Sequence, residues 1–327
     1  LNAYKGYIEN EKIFNLSQQK ISSVQLTAPD KYMISYQQGD KMLITSEELA
    51  SILSKNEHKL NRTIFLPLNN YVGSTSSVLF ESIAVLGGHM YRSQGTNFEL
   101  DELQKTILIT QKTPDDWLLL SDVVLTGWDI DFIGLTPDIS LQTEQRFNSH
   151  GMTGCLNIYN AVVKDATIAV QNGQCEDSLN IVNSTGSITH VNIINAFADA
   201  MDLDFSSLTI DSVDIAGAGN DCLDVSGGKY KINIASLFRC GDKGISVGEK
   251  SSFVAQSIGL TQAQIGVASK DFSYLYINEA EFIDTPVCAE VMQKKQEFGG
   301  ATAHLVKINC SGQYLQDKDS SITLGLE

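Results

Sequence analysis

The sequence predicts an all-β fold, a right-handed parallel β-helix with about 22 residues per coil, preceded by a small α+β cap. Three observations lead there. Short segments recur at a fixed step, each alternates apolar and polar residues, and the apolar positions of successive copies fall into columns. A single period of this length marks stacked repeats, each too small to bury its own face.

The copies Asp177-Ser-Leu-Asn-Ile-Val, Asp199-Ala-Met-Asp-Leu-Asp, Asp221-Cys-Leu-Asp-Val-Ser and Lys243-Gly-Ile-Ser-Val-Gly start 22 residues apart, and Ile265-Gly-Val-Ala-Ser-Lys keeps the step. Strict alternation is the pattern of a half-buried strand. One inward column is Leu179, Met201, Leu223, Ile245 and Val267, and a second is Ile181, Leu203, Val225 and Val247. A further strand in each coil is expected to align Ile188, Ile210, Ile232 and Val254. Stacking gives every strand a parallel neighbour ~4.8 Å away. A leucine-rich solenoid would need Leu-x-x-Leu-x-Leu and a helix, and neither is present.

The series extends in both directions. Cys155-Leu-Asn-Ile matches Ser178-Leu-Asn-Ile after one extra residue, and Val287, Ala289 and Val291 prolong the inward column. Upstream, Arg62-Thr-Ile-Phe-Leu-Pro, Ser77-Val-Leu-Phe, Ile83-Ala-Val-Leu and Ile107-Leu-Ile-Thr read as earlier, less regular coils between turn residues. Residues 1–60, with a helix starting near Ser46 and running to Lys55, are expected to cap the exposed core, leaving 61–327 as the β-helix. No Pro/Gly/Ser linker separates independent domains.

The composition narrows the partner. With a net charge of -16 and only 23 basic residues, the chain lacks the clustered Lys and Arg that nucleic acid requires. No apolar run reaches the ~18 residues of a membrane span. The six cysteines show no Cys-x-x-Cys metal spacing. Their even number and the initial Leu fit a secreted or periplasmic protein of a bacterial envelope.

The polar positions of the same strands form columns of their own. One is Asn180, Asp202, Asp224, Ser246, Ala268 and Glu290, and beside it run Val182, Asp204, Ser226, Gly248 and Lys270. Asp177, Asp199, Asp221 and Lys243 stand at the turn that leads into the strand. Several carboxylates and two ammonium groups thus share a patch roughly 15 Å across, where like charges raise one another's pKa or recruit a cation. The turn aspartates equally suit hydrogen bonds to backbone amides. Asp202 and Asp224, mid-strand and opposite one another, have no such structural use, because like charges facing across strands destabilise them. The pair is the candidate site for calcium (Ca2+). Lys294-Lys295-Gln-Glu297 reads as a solvated loop, Cys222 as a residue of the outward column, and the five histidines form no motif.

At these residues the sequence resembles the pectin lyase-like superfamily, and in particular its polygalacturonase-type glycoside hydrolases. Their motifs run Asn-Thr-Asp, Gly-Asp-Asp, Gly-His-Gly and Arg-Ile-Lys on successive coils. Ala198-Asp199 with Asp202 stands at the first, Gly219-Asn220-Asp221-Cys222 at the second, Lys243-Gly244-Ile-Ser-Val-Gly248 at the third and Ala268-Ser-Lys270 at the fourth. The resemblance covers residues 195–271. It implies roles near the scissile bond for Asp199 and Asp221 and substrate contact for Lys270. Asn220, Asp204, Asp242 and Glu249 are further candidate substrate contacts. The chain departs from the pattern where Asn220 replaces an acid, Lys243 a histidine and Ala268 an arginine. A looser resemblance, to bacterial β-helix proteins of surface or biofilm polysaccharides, implies a glycan partner.

Three functions follow as expectations. The first is β-elimination of a uronic-acid polysaccharide, with Lys243 as base and calcium bridging the anionic sugar to the acids. The second is glycoside hydrolysis by an aspartate pair, Asp202 with Asp224 or Asp199 with Asp224. The third is a glycan-binding scaffold without catalysis. Trp117 and Trp128, the two tryptophans, lie upstream of the patch.

Overall fold

The computed structural model describes residues 21–28, 31–36, 41–45, 80–114, 116–138, 146–148 and 151–325. The chain divides into two compact units, Leu1–Phe80 with Phe147–Met152, and Glu81–Arg146 with Thr153–Glu327. In the first unit Ile21–Ala28, Lys31–Tyr36 and Lys41–Thr45 form an antiparallel sheet in chain order. The helix expected between Ser46 and Lys55, the run at Arg62 and most of that at Ser77 lie outside the described residues. Among the described residues there is no helix, and none long and apolar enough to cross a membrane.

The second unit is a parallel β-solenoid. Its coils alternate a short strand, such as Asp177–Val182, Asp199–Asp204 and Lys243–Gly248, with a long one, such as Thr185–Ala196, Ser207–Ala218 and Lys229–Cys240. Short strands stack into an 11-stranded sheet and long strands into a 12-stranded sheet. The predicted register holds: Leu179 pairs Met201, Leu223, Ile245 and Val267 in turn, and all five are fully buried. The two sheets enclose one continuous apolar core.

The long-strand column differs by one residue. Ile188, Ile210 and Ile232 align, but the next member is Ala255 and not Val254. The cause is a one-residue insertion at the preceding turn, where Glu249 and Lys250 are both left-handed (φ 58° and 64°). In the preceding coils a single left-handed residue closes the short strand, at Asn160, Asn183, Phe205 and Gly227, and the coil after repeats the pair at Asp271 and Phe272. Asn tolerates that conformation best of the side-chain-bearing residues. It also builds a ladder here, since Asn183 Nδ2 donates to Asn160 Oδ1 (3.1 Å) and Asn160 Nδ2 to Asp122 Oδ1 (2.6 Å).

The upstream runs are only partly coils. Thr106–Thr110 pairs in parallel with Asp129–Ile133, as a coil strand should. Asn97–Asp101 and Gly88–Ser93 instead run antiparallel to Thr106–Thr110 and Leu118–Ser121, and so cover the leading edges of the two sheets. A covered edge offers no unpaired backbone for further pairing.

All six cysteines form disulfides: Cys155–Cys175, Cys222–Cys240 and Cys288–Cys310. Each joins residues 18 to 22 apart in sequence. Cys222 therefore belongs to the core, where it is fully buried, and not to the outward column in which the alternation placed it. It precedes the strand Leu223–Ser226, so strand alternation does not govern its direction.

Candidate functional site

The turns leading into Leu223–Ser226 and Lys243–Gly248 are held by carboxylates of the preceding coil. Asp199 Oδ1 accepts the backbone N–H of Asp221 (2.8 Å) and the side-chain amide of Asn220 (2.7 Å). One coil on, Asp221 Oδ1 accepts the N–H of Lys243 (3.0 Å) and its ammonium (3.4 Å). Lys243 also pairs with Asp242. The turn-forming use of Asp199 and Asp221 is therefore real, and it spends one oxygen of each. Asp221 Oδ2 makes no hydrogen bond among the described residues.

Two further groups join this edge. Glu176 precedes Asp177 as Asn220 precedes Asp221, and its carboxylate takes the guanidinium of Arg146 (2.5 Å). Arg146 also lies 3.9 Å from Asp199 Oδ2. The 22-residue step could have found Glu176, since it is equivalent to Asn220 and Asp242. Arg146 comes from an irregular segment and leaves no periodic signal.

The columns read as an outward face are withdrawn from solvent. Asn180, Asp202, Asp204, Ser246 and Ala268 each expose 4% or less, while Asp224 and Glu290 are partly exposed. Their register is as predicted, with Asn180, Asp202, Asp224, Ser246, Ala268 and Glu290 in one line. Asp224 Oδ1, Asp177 Oδ1 and Asn180 Oδ1 are buried and have no hydrogen-bond partner among the described residues.

Burial sets the protonation of this acidic edge. It raises Asp177 to about 6, against the hydrogen bonds of Asn180 and Thr153. Asp199 is pushed well above the ordinary carboxylate range by burial and then by the charges of Asp177, Asp221 and Asp224. Burial and the Asp224 charge also raise Asp221, against Lys243 and Lys270. Lys243 goes the other way from a catalytic amine. Burial pulls it down, but the hydrogen bond to Asp242 and the charge of Asp221 outweigh this, and it ends above its ordinary value. A proton-abstracting lysine needs a depressed pKa, so Lys243 is suited to hold an anion or an acid and not to serve as the base.

Oxygens of Glu176, Asp177 and Asp199 lie within 4.8 Å of one another, the one such acidic group among the described residues. Asp202 and Asp224, the expected cation pair, are not part of it. Calcium takes six to eight oxygen ligands. The trio already has the Arg146 guanidinium as its counter-ion, and these residues do not suit calcium.

The remaining candidates lie towards the later coils. Lys270 is 6% exposed and its Nζ donates to Ser246 Oγ at 2.6 Å. Glu249 pairs with Lys295. The segment 293–298 is a loop exposed at Gln293, Lys294, Gln296 and Glu297, as expected, and its backbone is pinned. The buried Asp271 accepts the N–H groups of Lys294 (2.7 Å) and Lys295 (2.8 Å) through Oδ1. Asp317 accepts that of Gln293 (2.7 Å), and Phe298 packs edge-on against Phe272. Asp271 and Lys294 were not legible as site residues, because one follows the last position of its strand and the other follows the last regular copy of the repeat.

No protein-family model matches the chain, and no curated protein or solved structure shows significant similarity to it.

Proposed function

We propose that the chain is an extracellular polysaccharide-cleaving enzyme in which Asp221 donates a proton to the leaving oxygen of a glycosidic bond. One observation carries the reading. Asp221 is a carboxyl raised above its ordinary range, with Oδ1 fixed by the next coil and Oδ2 unengaged, at an edge where Asp242 is 41% exposed. A general acid needs a proton at working pH, a fixed orientation and reach to solvent-borne substrate. Asp224 supplies the second carboxyl, and its charge helps hold the proton on Asp221. A raised acid acted on by a second carboxylate is the pattern of a glycosidase pair. Lys243, paired with Asp242, anchors the acid through Asp221 Oδ1 and faces the substrate.

Elimination with Lys243 as base would require a neutral amine at that position, which is why hydrolysis is preferred here. The three disulfides support a secreted or periplasmic setting.

The test is incubation with a panel of acidic and neutral polysaccharides, following reducing ends together with absorbance near 235 nm. Hydrolysis predicts reducing ends without absorbance, lost roughly 100- to 10,000-fold in Asp221→Asn. Absorbance rising with the reducing ends would establish elimination and overturn the assignment of Asp221. Binding without either signal would leave a glycan-binding scaffold.

A further inference from the structure

The long-strand sheet presents two outward faces, because the buried side shifts by one residue partway along each strand. In Thr185–Ala196 it passes from Ile188 to Val191 across Thr189 and His190, and in Tyr274–Ile283 from Ile277 to Ala280. Beyond the shift the outward positions carry charge, at Asp214, Glu279, Glu281 and Lys307. Before the shift the later coils carry none. Ser252 pairs with Tyr274 and Tyr274 with Thr302, while Val254, Tyr276 and His304 form the column beside them. The last coil continues the two columns with Ser321 and Thr323. Upstream the neutral stretch ends at Lys229 and Lys231. A surface stretch without charge stands out in a chain of net charge -16.

The side chains there have one chemistry in common. Tyr274 is 43% exposed and stands between the short side chains of Ser252 and Thr302, with no ring neighbour among the described residues. Tyr276 and His304 stack on each other, their centroids 5.4 Å apart and their planes 9° from parallel. Neither tyrosine hydroxyl makes a hydrogen bond among the described residues. A tyrosine offers an apolar ring with a polar tip, and serine and threonine hydroxyls both donate and accept. A pyranose is the complement, with an apolar C–H face and a rim of hydroxyls. A carboxylate or sulfate ester would find no cation on these coils. Val254 is the one aliphatic side chain among the six, too little apolar area for the core of a protein interface. Successive coils rise by ~4.8 Å, about the advance of one sugar in an extended β-1,4 chain. A chain laid along the solenoid axis therefore meets one coil per sugar.

We propose that Tyr274, Tyr276 and His304, with the Ser252 and Thr302 hydroxyls, form a non-catalytic platform for a neutral β-1,4-linked glycan. It lies on the long-strand sheet, whereas the acidic edge belongs to the short-strand sheet. It rests on the polysaccharide reading for its class of ligand and needs neither Asp221 nor cleavage. Its use is to hold the protein on a polymer while the acidic edge samples neighbouring chains.

The experiment is calorimetric titration of the full chain with cellohexaose, N-acetylchitohexaose, maltohexaose and a galacturonic acid hexamer. The same titrations are made on Tyr274→Ala, Tyr274→Phe, His304→Ala and Asp221→Asn. The control is Ile234→Ala, whose side chain is 55% exposed beyond the shift on the same sheet. Saturable binding of cellohexaose or N-acetylchitohexaose is expected, with the α-linked and the charged hexamer at least about tenfold weaker. Tyr274→Ala and His304→Ala should each weaken it about tenfold, Tyr274→Phe should keep most of it, and Asp221→Asn and Ile234→Ala should leave it unchanged. Both alanine variants remove outward side chains and should melt close to the parent, and Tyr274→Phe gives a second reading if either does not. No saturable binding of either β-1,4 hexamer, equal binding of the galacturonic acid hexamer, or full affinity in Tyr274→Ala would overturn the proposal. Loss of binding in Asp221→Asn would put the glycan at the acidic edge and overturn it as well. Platform binding without cleavage of any polymer would sink the enzymatic reading and leave the platform standing. Cleavage without platform binding would do the reverse.

Discussion

Asp177 shows what the acidic edge costs. Its Oδ1 is buried without a partner among the described residues, and burial lifts its carboxyl to about 6 from ~3.9 in an unfolded chain. Between those values the folded protein binds more protons than the unfolded one, so stability falls as pH rises through that window and levels off above it. Asp177→Asn removes the charge and keeps the shape. The variant is expected to gain up to about 3 kcal/mol at pH 7 and almost nothing at pH 3.5, measured by denaturant unfolding at both. An equal gain at the two pH values would assign it to packing instead. Residue types were legible in the sequence to the extent that the repeat put them in register. Asp199, Asp221 and Lys243 were found together because they occupy one position of successive coils. Their chemistry was not legible, because protonation depends on burial, and an alternating strand pattern does not say what covers its polar side. Lys243 therefore read as a base although its pairing with Asp242 keeps it charged. Lys294 is solvent-facing as read, but the Asp271 carboxylate that fixes its backbone lies 23 residues earlier and left no local signal.

At the level of the element, each coil is a compromise between a shared template and its own filling. The position before the first inward residue reads Cys155, Ser178, Ala200, Cys222, Gly244, Gly266 and Cys288 along the stack. A disulfide fills the coil at Cys155, Cys222 and Cys288. At Gly244 and Gly266 the room goes instead to Leu260 and Phe282, which would lie 2.7 Å from an added Cβ. A Cβ on Gly266 would also come within 2.6 Å of the Cys288 carbonyl oxygen, and a ladder backbone cannot yield without opening the register. Gly266→Ala should therefore destabilise by about 1–3 kcal/mol through overpacking, read as a lower unfolding midpoint with an unchanged slope. A neutral result would mean that Phe282 repacks freely. The period itself was legible because parallel stacking repeats one hydrogen-bond register, and the copies from Asp177 to Ile265 carry it with one step. It failed where the turn changed. The added residue at Glu249 and Lys250 moves the next long strand by one, and in a strand a one-residue slip exchanges the two faces, so Ala255 is buried where Val254 was expected.

For the molecule as a whole, the solenoid makes stability nearly one-dimensional, since a coil packs mainly on the coil before and the coil after it. Its two ends are not equivalent. The leading edges are covered by Gly88–Ser93 and Asn97–Asp101, paired antiparallel. At the other end Gln313–Gln316 and Ser321–Leu324 are strands of four residues with neighbours on one side and side chains mostly open to solvent. The central long strands run to 12 residues and stack on both sides. Local opening is cheapest where few buried contacts are lost, so opening should start at the last coil and move inwards. Amide hydrogen exchange on the 327-residue chain is expected to show the slowest rates in Asp199–Asp204, Ser207–Ala218 and Lys243–Gly248. Exchange in Gln313–Gln316 and Ser321–Leu324 should be faster by orders of magnitude and insensitive to low denaturant. That gradient would place the Asp199, Asp221 and Lys243 ladder on the stiffest part of the stack, where fixed geometry is what a proton donor needs. It would place Lys294, between the last long strands, nearer the part that breathes. Uniform protection through Leu324 would instead mean that the coils unfold as one cooperative block, and the one-dimensional account of this solenoid would have to be given up.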